Sequence, residues 1–205
     1  MTSPFQVPFT PRRWWLGALL LCSMVLPVQA EKADRYKKME VESDQPGKVD
    51  LQNQIVVFNG NVVVSKGTMV IKAGRIEVRE TPDGYHQATA VATPGQLATF
   101  RQKREGVDEY IEGEAERLEY DSKADTIRFI NKASVRRLRG TTVADEVTGA
   151  LITYDNTAEL FTVAGGASAA TPGNPTGRVR AVLSPRQDSP AAAEAASAVP
   201  PGARR

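Results

Sequence analysis

Between Met39 and Ser168 the apolar residues fall on every second position. Met69, Ile71 and Ala73 alternate with Thr68, Val70 and Lys72, and Ile111, Gly113 and Ala115 alternate with Glu112, Glu114 and Glu116. Successive side chains of a strand point to opposite faces, so a period of two with one polar side predicts a half-buried antiparallel sheet. No window holds a 3.6-residue apolar period long enough for a helix, and short runs of Val, Ile, Thr, Phe and Tyr between Gly, Asn and Asp predict strands almost throughout. By this alternation the inward residues are Val56, Phe58, Met69, Ile71, Ile76, Val78, Ile111, Leu118, Tyr120, Ile127, Phe129, Tyr154, Phe161 and Val163. A closed core and an open apolar groove give the same pattern, so periodicity leaves both open.

An internal repeat narrows the architecture. The segment from Tyr120 to Phe129 matches the segment from Tyr154 to Val163 at a constant offset of 34, and Ala133-Ser134 pairs with Ala167-Ser168 at the same offset. A second element matches residues 71–78 with residues 147–154; both read apolar-x-small-x-x-apolar-x-apolar. The three-residue step after the small residue breaks the alternation and predicts a corner or bulge, where the strand bends and its inward parity resets. Units too short to bury their own face must stack, which predicts an elongated, all-β, antiparallel roll. Residues 79–97, with Pro82-Asp83-Gly84 and Pro94-Gly95, read as a long loop or irregular hairpin holding the chain's one histidine, His86. Residues 178–183 read as a last strand. Residues 31–38 read as a flexible leader, and 185–205, rich in Pro and Ala, as a disordered tail.

The N-terminus reads as a secretory signal. Arg12 and Arg13 precede the apolar run Trp14 to Leu26, and Val28-Gln29-Ala30 offers small residues where a signal peptidase reads, which places cleavage after Ala30. The run is thirteen residues long, whereas a membrane-spanning helix takes about 20. An uncleaved anchor is the weaker reading. Cleavage removes Cys22, the sole cysteine, and so excludes thiol chemistry and cysteine-bound metals. It also removes two of the 26 basic residues, which leaves them level with the 24 acidic ones. A balanced charge gives no electrostatic case for nucleic acid.

Catalytic constellations are missing from the sequence. There is no Gly-x-Ser-x-Gly, no His-Glu-x-x-His and no phosphate-cradling glycine loop. A lone histidine is far more often solvated surface than a catalyst or a ligand. Glu112, Glu114 and Glu116 share one strand face, which reads as the wet side of a sheet rather than an acid/base site. Arg136, Arg137 and Arg139 could meet phosphates, since Arg binds them bidentately, but the wet face of a strand explains them too. The expectation is a protein with no enzymatic activity, no cofactor and no metal.

Several segments carry a resemblance. Residues 39–45 (MEVESDQ), 56–64 (VVFNGNVVV), Gly67-Thr68, Ile71-Lys72-Ala73, 98–102 (ATFRQ), Glu112-Gly113-Glu114-Ala115, Leu118-Glu119-Tyr120 and 177–185 (GRVRAVLSP) follow one another as in a known family. They resemble the periplasmic lipopolysaccharide transport bridge proteins, the organic-solvent-tolerance-like family, over roughly residues 39–185. The resemblance implies a slightly open antiparallel β-jellyroll with an apolar groove along its axis, from 39 to 184. It implies lipopolysaccharide as ligand, held by its lipid A acyl chains, with Met39, Val41, Phe100 and Tyr120 at groove positions beside the inward residues above. It further implies head-to-tail self-association, an inner-membrane extraction complex at one end and an outer-membrane translocon at the other. Met39 and Val41 on the opening strand, and Val179, Ala181 and Leu183 on the closing one, fall at those docking edges. The family pattern leaves the tail after Asp188 unexplained. The competing readings are an inner-membrane adaptor of the same pathway, a structural β-repeat envelope protein with a closed core and no lipid, and an envelope hydrolase using paired carboxylates.

Overall fold

The computed structural model describes residues 33–186 and 189–198, so the expected signal segment and its cleavage point lie outside the described residues. Twelve strands form one antiparallel sheet: β1 (Met39–Glu42), β2 (Lys48–Asp50), β3 (Ile55–Lys66), β4 (Met69–Glu80), β5 (His86–Val91), β6 (Ala98–Lys103), β7 (Glu109–Ala115), β8 (Arg117–Asp121), β9 (Thr126–Arg139), β10 (Thr142–Asp155), β11 (Leu160–Ala164) and β12 (Arg180–Leu183). The expected all-β jellyroll is the fold.

The four long strands give the sheet its shape, because each changes neighbours half-way. β3 leaves β2 for β1. β4 leaves β6 for β5, β9 leaves β8 for β7, and β10 leaves β12 for β11. The sheet therefore folds into two layers of eight strand segments. The first runs β1, β3, β4, β6, β7, β9, β10, β12, and the second β2, β3, β4, β5, β8, β9, β10, β11.

The corners lie where the sequence bends. In β3 and β9 they are Gly60-Asn61 and Asn131-Lys132, all with positive φ, a conformation that Gly and Asn adopt most readily. In β4 and β10 they are Gly74, next to Ala73, and Gly149; Ala73 and Gly149 are the small residues of the apolar-x-small repeat. A Cβ on Gly74 would stand 2.9 Å from the backbone nitrogen of Thr93, and one on Gly149 would stand 2.8 Å from the carbonyl oxygen of Ala164. The β9–β10 register shifts between Gly149 and Leu151, and the β3–β4 register between Asn59 and Val62. The predicted corner is present in both copies of the repeat.

The 34-residue repeat is a pair of hairpin turns. Asp121 Oδ1 accepts from the Ala124 N–H at 3.0 Å with Asp125 at φ 53°, and Asp155 Oδ1 accepts from the Ala158 N–H at 2.8 Å with Glu159 at φ 52°. A third turn does the same: Asp50 Oδ1 accepts from the Asn53 N–H at 3.0 Å, with Gln54 at φ 53°. Such Asx turns close the chain locally and tolerate the left-handed residue.

Three segments depart from expectation. Residues 79–97, read as a loop, contain β5, whose His-Gln-Ala-Thr-Ala-Val has weak strand propensity. Pairing with β4 on one side and β8 on the other supplies what propensity does not. In the leader, Ala33–Tyr36 forms a 3-10 turn tied down by Asp34, whose carboxylate accepts from Thr68 Oγ1 and, at 3.3 Å, from Gln102 Nε2. In the tail, Pro190–Ala198 is a helix, α1. Alanine is the strongest helix former and proline suits a first turn, and Ser189 Oγ accepts from the Ala192 N–H at 3.3 Å as an N-cap.

Candidate functional site

The inner faces of the two layers make one apolar interior. Met69, Ile71, Phe100 and Ile111 from the first layer and Ile76, Val78, Leu118, Tyr120, Ile127, Phe129 and Tyr154 from the second are all buried in it. Each large apolar side chain so buried contributes about 1.5–3 kcal/mol. Cross-strand register grades the interior by size. Nearest the corners the first layer presents Val62, Ala73, Ala98, Ala115, Ala133 and Gly149, and one inward row further out Val41, Val64, Ile71, Phe100, Gly113, Val135 and Val147. Small residues let the layers converge at the fold line.

Away from the fold line the layers meet through charged and aromatic side chains. Arg104, in the β6–β7 loop of the first layer, donates to Glu109 beside it and to Glu159 in the β10–β11 turn of the second. Glu109 also receives Arg139 at 3.0 Å and Arg137 at 3.3 Å, and Arg137 pairs with Asp145. Burial pushes the Glu109 carboxyl up, but the hydrogen bonds from Arg139 and Arg104 outweigh it and hold the group below the usual carboxylate range. Burial likewise opposes the charge on Arg104, and the bonds it donates to Glu159 and Glu109 outweigh that too. Lys66, buried at the end of β3, lies 5.6 Å from the Tyr120 ring centre of the opposite layer.

At its two ends the interior is open-edged. The apolar residues that pack against the core but stay half-buried include Met39, Val41, Val56 and Phe58 at the β1–β2 end, and Val147, Phe161 and Val163 at the β11–β12 end. Tyr154 and Phe161 stack with centroids 4.4 Å apart. Among the described residues, β1 and β2 have no outer partner at one end, nor do β11 and β12 at the other. Exposed Val49 and Leu51 lie at the first end, and Leu160, Val179, Val182 and Leu183 at the second.

The inward positions expected from alternation thus lie together, fully buried in the middle and half-buried at the ends. Among the expected edge residues, Ala181 and Leu183 lie on β12, and Val179 just precedes it; all three are exposed. Alternation missed Val62, Val64, Ala88, Ala90, Ala98, Ala133, Val135 and Ile152. The residues of the run Val62 to Val64 look alike on both faces, and the inward alanines are too small to mark a face. The acidic run lies on the outer face, with Glu112 on Arg101 and Glu116 on Lys132. His86 opens β5 with its ring 4.0 Å from Glu80. Among the described residues no group of three His, Cys, Asp or Glu could hold a metal.

Residues 40–160 match the model of the family described as LptA/(LptD N-terminal domain) LPS transport protein. The chain belongs to this family. It is 29% identical over 133 residues to the lipopolysaccharide export system protein LptA of Escherichia coli strain K12, covering 65% of this chain and 70% of that one. It is 27% identical over 140 residues to the protein of the same name from Haemophilus influenzae, covering 67% and 77%. The crystal structure of LptH, described as the LptA homologous periplasmic component of the lipopolysaccharide transport device of Pseudomonas aeruginosa, superposes with a TM-score of 0.62. It is 22% identical and covers 75% of this chain and 99% of that one, a likeness of fold. The family model spans β1 to the start of β11, so it takes in the corners and most of the apolar interior.

Proposed function

We propose that this protein binds lipopolysaccharide in the periplasm, sheltering the acyl chains between its two layers. It passes the lipid along a bridge of like units from an inner-membrane extraction complex to an outer-membrane translocon. The observation that carries this reading is the pair of ends: the apolar interior runs out, half-buried, to strands that have no outer partner among the described residues. A protein with a closed structural core gains nothing from leaving both ends apolar and unpaired, because free edges invite aggregation.

The physical need is plain. Each acyl methylene exposed to water costs about 0.8 kcal/mol, so a many-chained lipid must stay covered at every step. Eight alternating segments give each layer terminal strands of opposite direction, so a translated copy continues both layers antiparallel. One unit's β11 and β12 then pair with the next unit's β2 and β1. Such heterologous contacts do not close on themselves, and they build a bridge rather than a ring. The buried middle accepts chains when the layers part opposite the corners, where side chains rather than backbone hold them together.

The test is photocross-linking of the mature protein to lipopolysaccharide, with the probe at Tyr120 or Glu119. Tyr120 is buried in the interior, whereas Glu119 lies outside, paired with Arg117 and Arg128. Cross-links at Tyr120 but not Glu119 are expected. Labelling at neither position, with the protein folded, would mean a closed structural core.

A further inference from the structure

We propose that Phe129 divides the apolar interior into two compartments and so sets the length of acyl chain that each can hold. This deepens the lipid-carrier reading and rests on it. Phe129 stands on β9 in the second layer and is fully buried. Opposite it, in the first layer, Gly113 on β7 lies in register with Phe100 on β6 and Val135 on β9. A Cβ on Gly113 would stand 2.6 Å from Cζ and 3.0 Å from Cδ1 of Phe129. The ring therefore occupies the space that any side chain at position 113 would need. Phe100 meets Phe129 edge-on from the first layer, with centroids 5.7 Å apart and planes at 82°. Rings from opposite layers thus bolt across the interior over a notch of missing side chain.

The position of this bolt matters along the axis. β7 is fifth of the eight segments of its layer, and β9 is sixth of eight in the other. Neighbouring strands lie about 4.8 Å apart. The partition therefore leaves about 20 Å of apolar path on the side of β1 and β2, and about 10 Å on the side of β11 and β12. A chain that outgrows its compartment must fold back or push out a ring packed on both sides, so added methylenes stop contributing.

The experiment measures displacement of a bound dansyl fatty acid from the mature protein by lysophosphatidylcholines of increasing chain length, each below its micelle threshold. For wild type, affinity is expected to rise about fourfold per methylene, the ~0.8 kcal/mol of a buried CH₂, and then to level off. In Phe129→Ala the rise is expected to continue over several further carbons, and in Phe129→Leu, the variant less disruptive to folding, over fewer. Coincident curves for wild type and either folded variant would overturn the partition. Failure of every chain length to displace the dansyl probe from wild type would instead overturn the lipid-carrier reading beneath it.

Discussion

Tyr154 lies at the end of the core, 2% exposed, with its ring stacked on Phe161. Burial, aided by the charge of Glu159, pushes its phenol up to about 12. The phenol stays neutral in the folded protein at pH values where the unfolded chain has already ionised. Its contribution to stability is thus intact below pH 10 and is lost as pH rises from about 10 to about 12, amounting to about 2–3 kcal/mol at the top of that window. Urea unfolding at several pH values should show wild type losing stability faster than Tyr154→Phe across that window. Parallel slopes would mean that the phenol is not so shielded. The inward direction of Tyr154 was legible from alternation. Its stacking on Phe161 was not, because the two residues are joined only by the β10–β11 register.

At the level of elements, β12 shows how a single edge can be read. The Ser184 N–H donates to the Ala144 carbonyl at 3.1 Å, so on this strand the N–H groups of Arg180 and Val182 also face β10. Those of Ala181 and Leu183 therefore point away, to the free edge, since successive residues alternate. Ala181→Pro removes an outward donor and leaves the β10 ladder alone. Sedimentation should show weaker self-association at an unchanged melting temperature. Unaltered sedimentation would remove edge pairing from the mechanism. Both this strand and the 34-residue repeat were visible in the sequence, but the hairpin turns that the repeat makes were not. β5 was not, because its partners rather than its residues make it a strand.

For the whole molecule, the pairing of Arg104 with Glu159 joins the two layers on the side away from the corners. Because backbone hinges hold the other side, loosening this pair should let the layers part more often. Glu159→Gln is expected to speed maleimide labelling of a cysteine placed at Ile127 about tenfold, a change worth about 1.4 kcal/mol in the opening equilibrium. Glu119→Gln, on the outer face, should leave the rate unchanged. Equal rates in both variants would show that the layers are held by packing alone.

The sequence by itself determined most of the strands, the inward faces of those strands, the corners after Ala73 and Gly149 and the 34-residue repeat, because each is set by local spacing and backbone sterics. The residues it placed inward do lie together in one interior. Only the tertiary structure decided that each long strand serves two layers, that Arg104 reaches Glu159 and that Gly113 receives Phe129. Those relations join residues distant along the chain. A glycine that makes room for a ring 16 residues away looks, in one dimension, like any other small residue on an alternating strand.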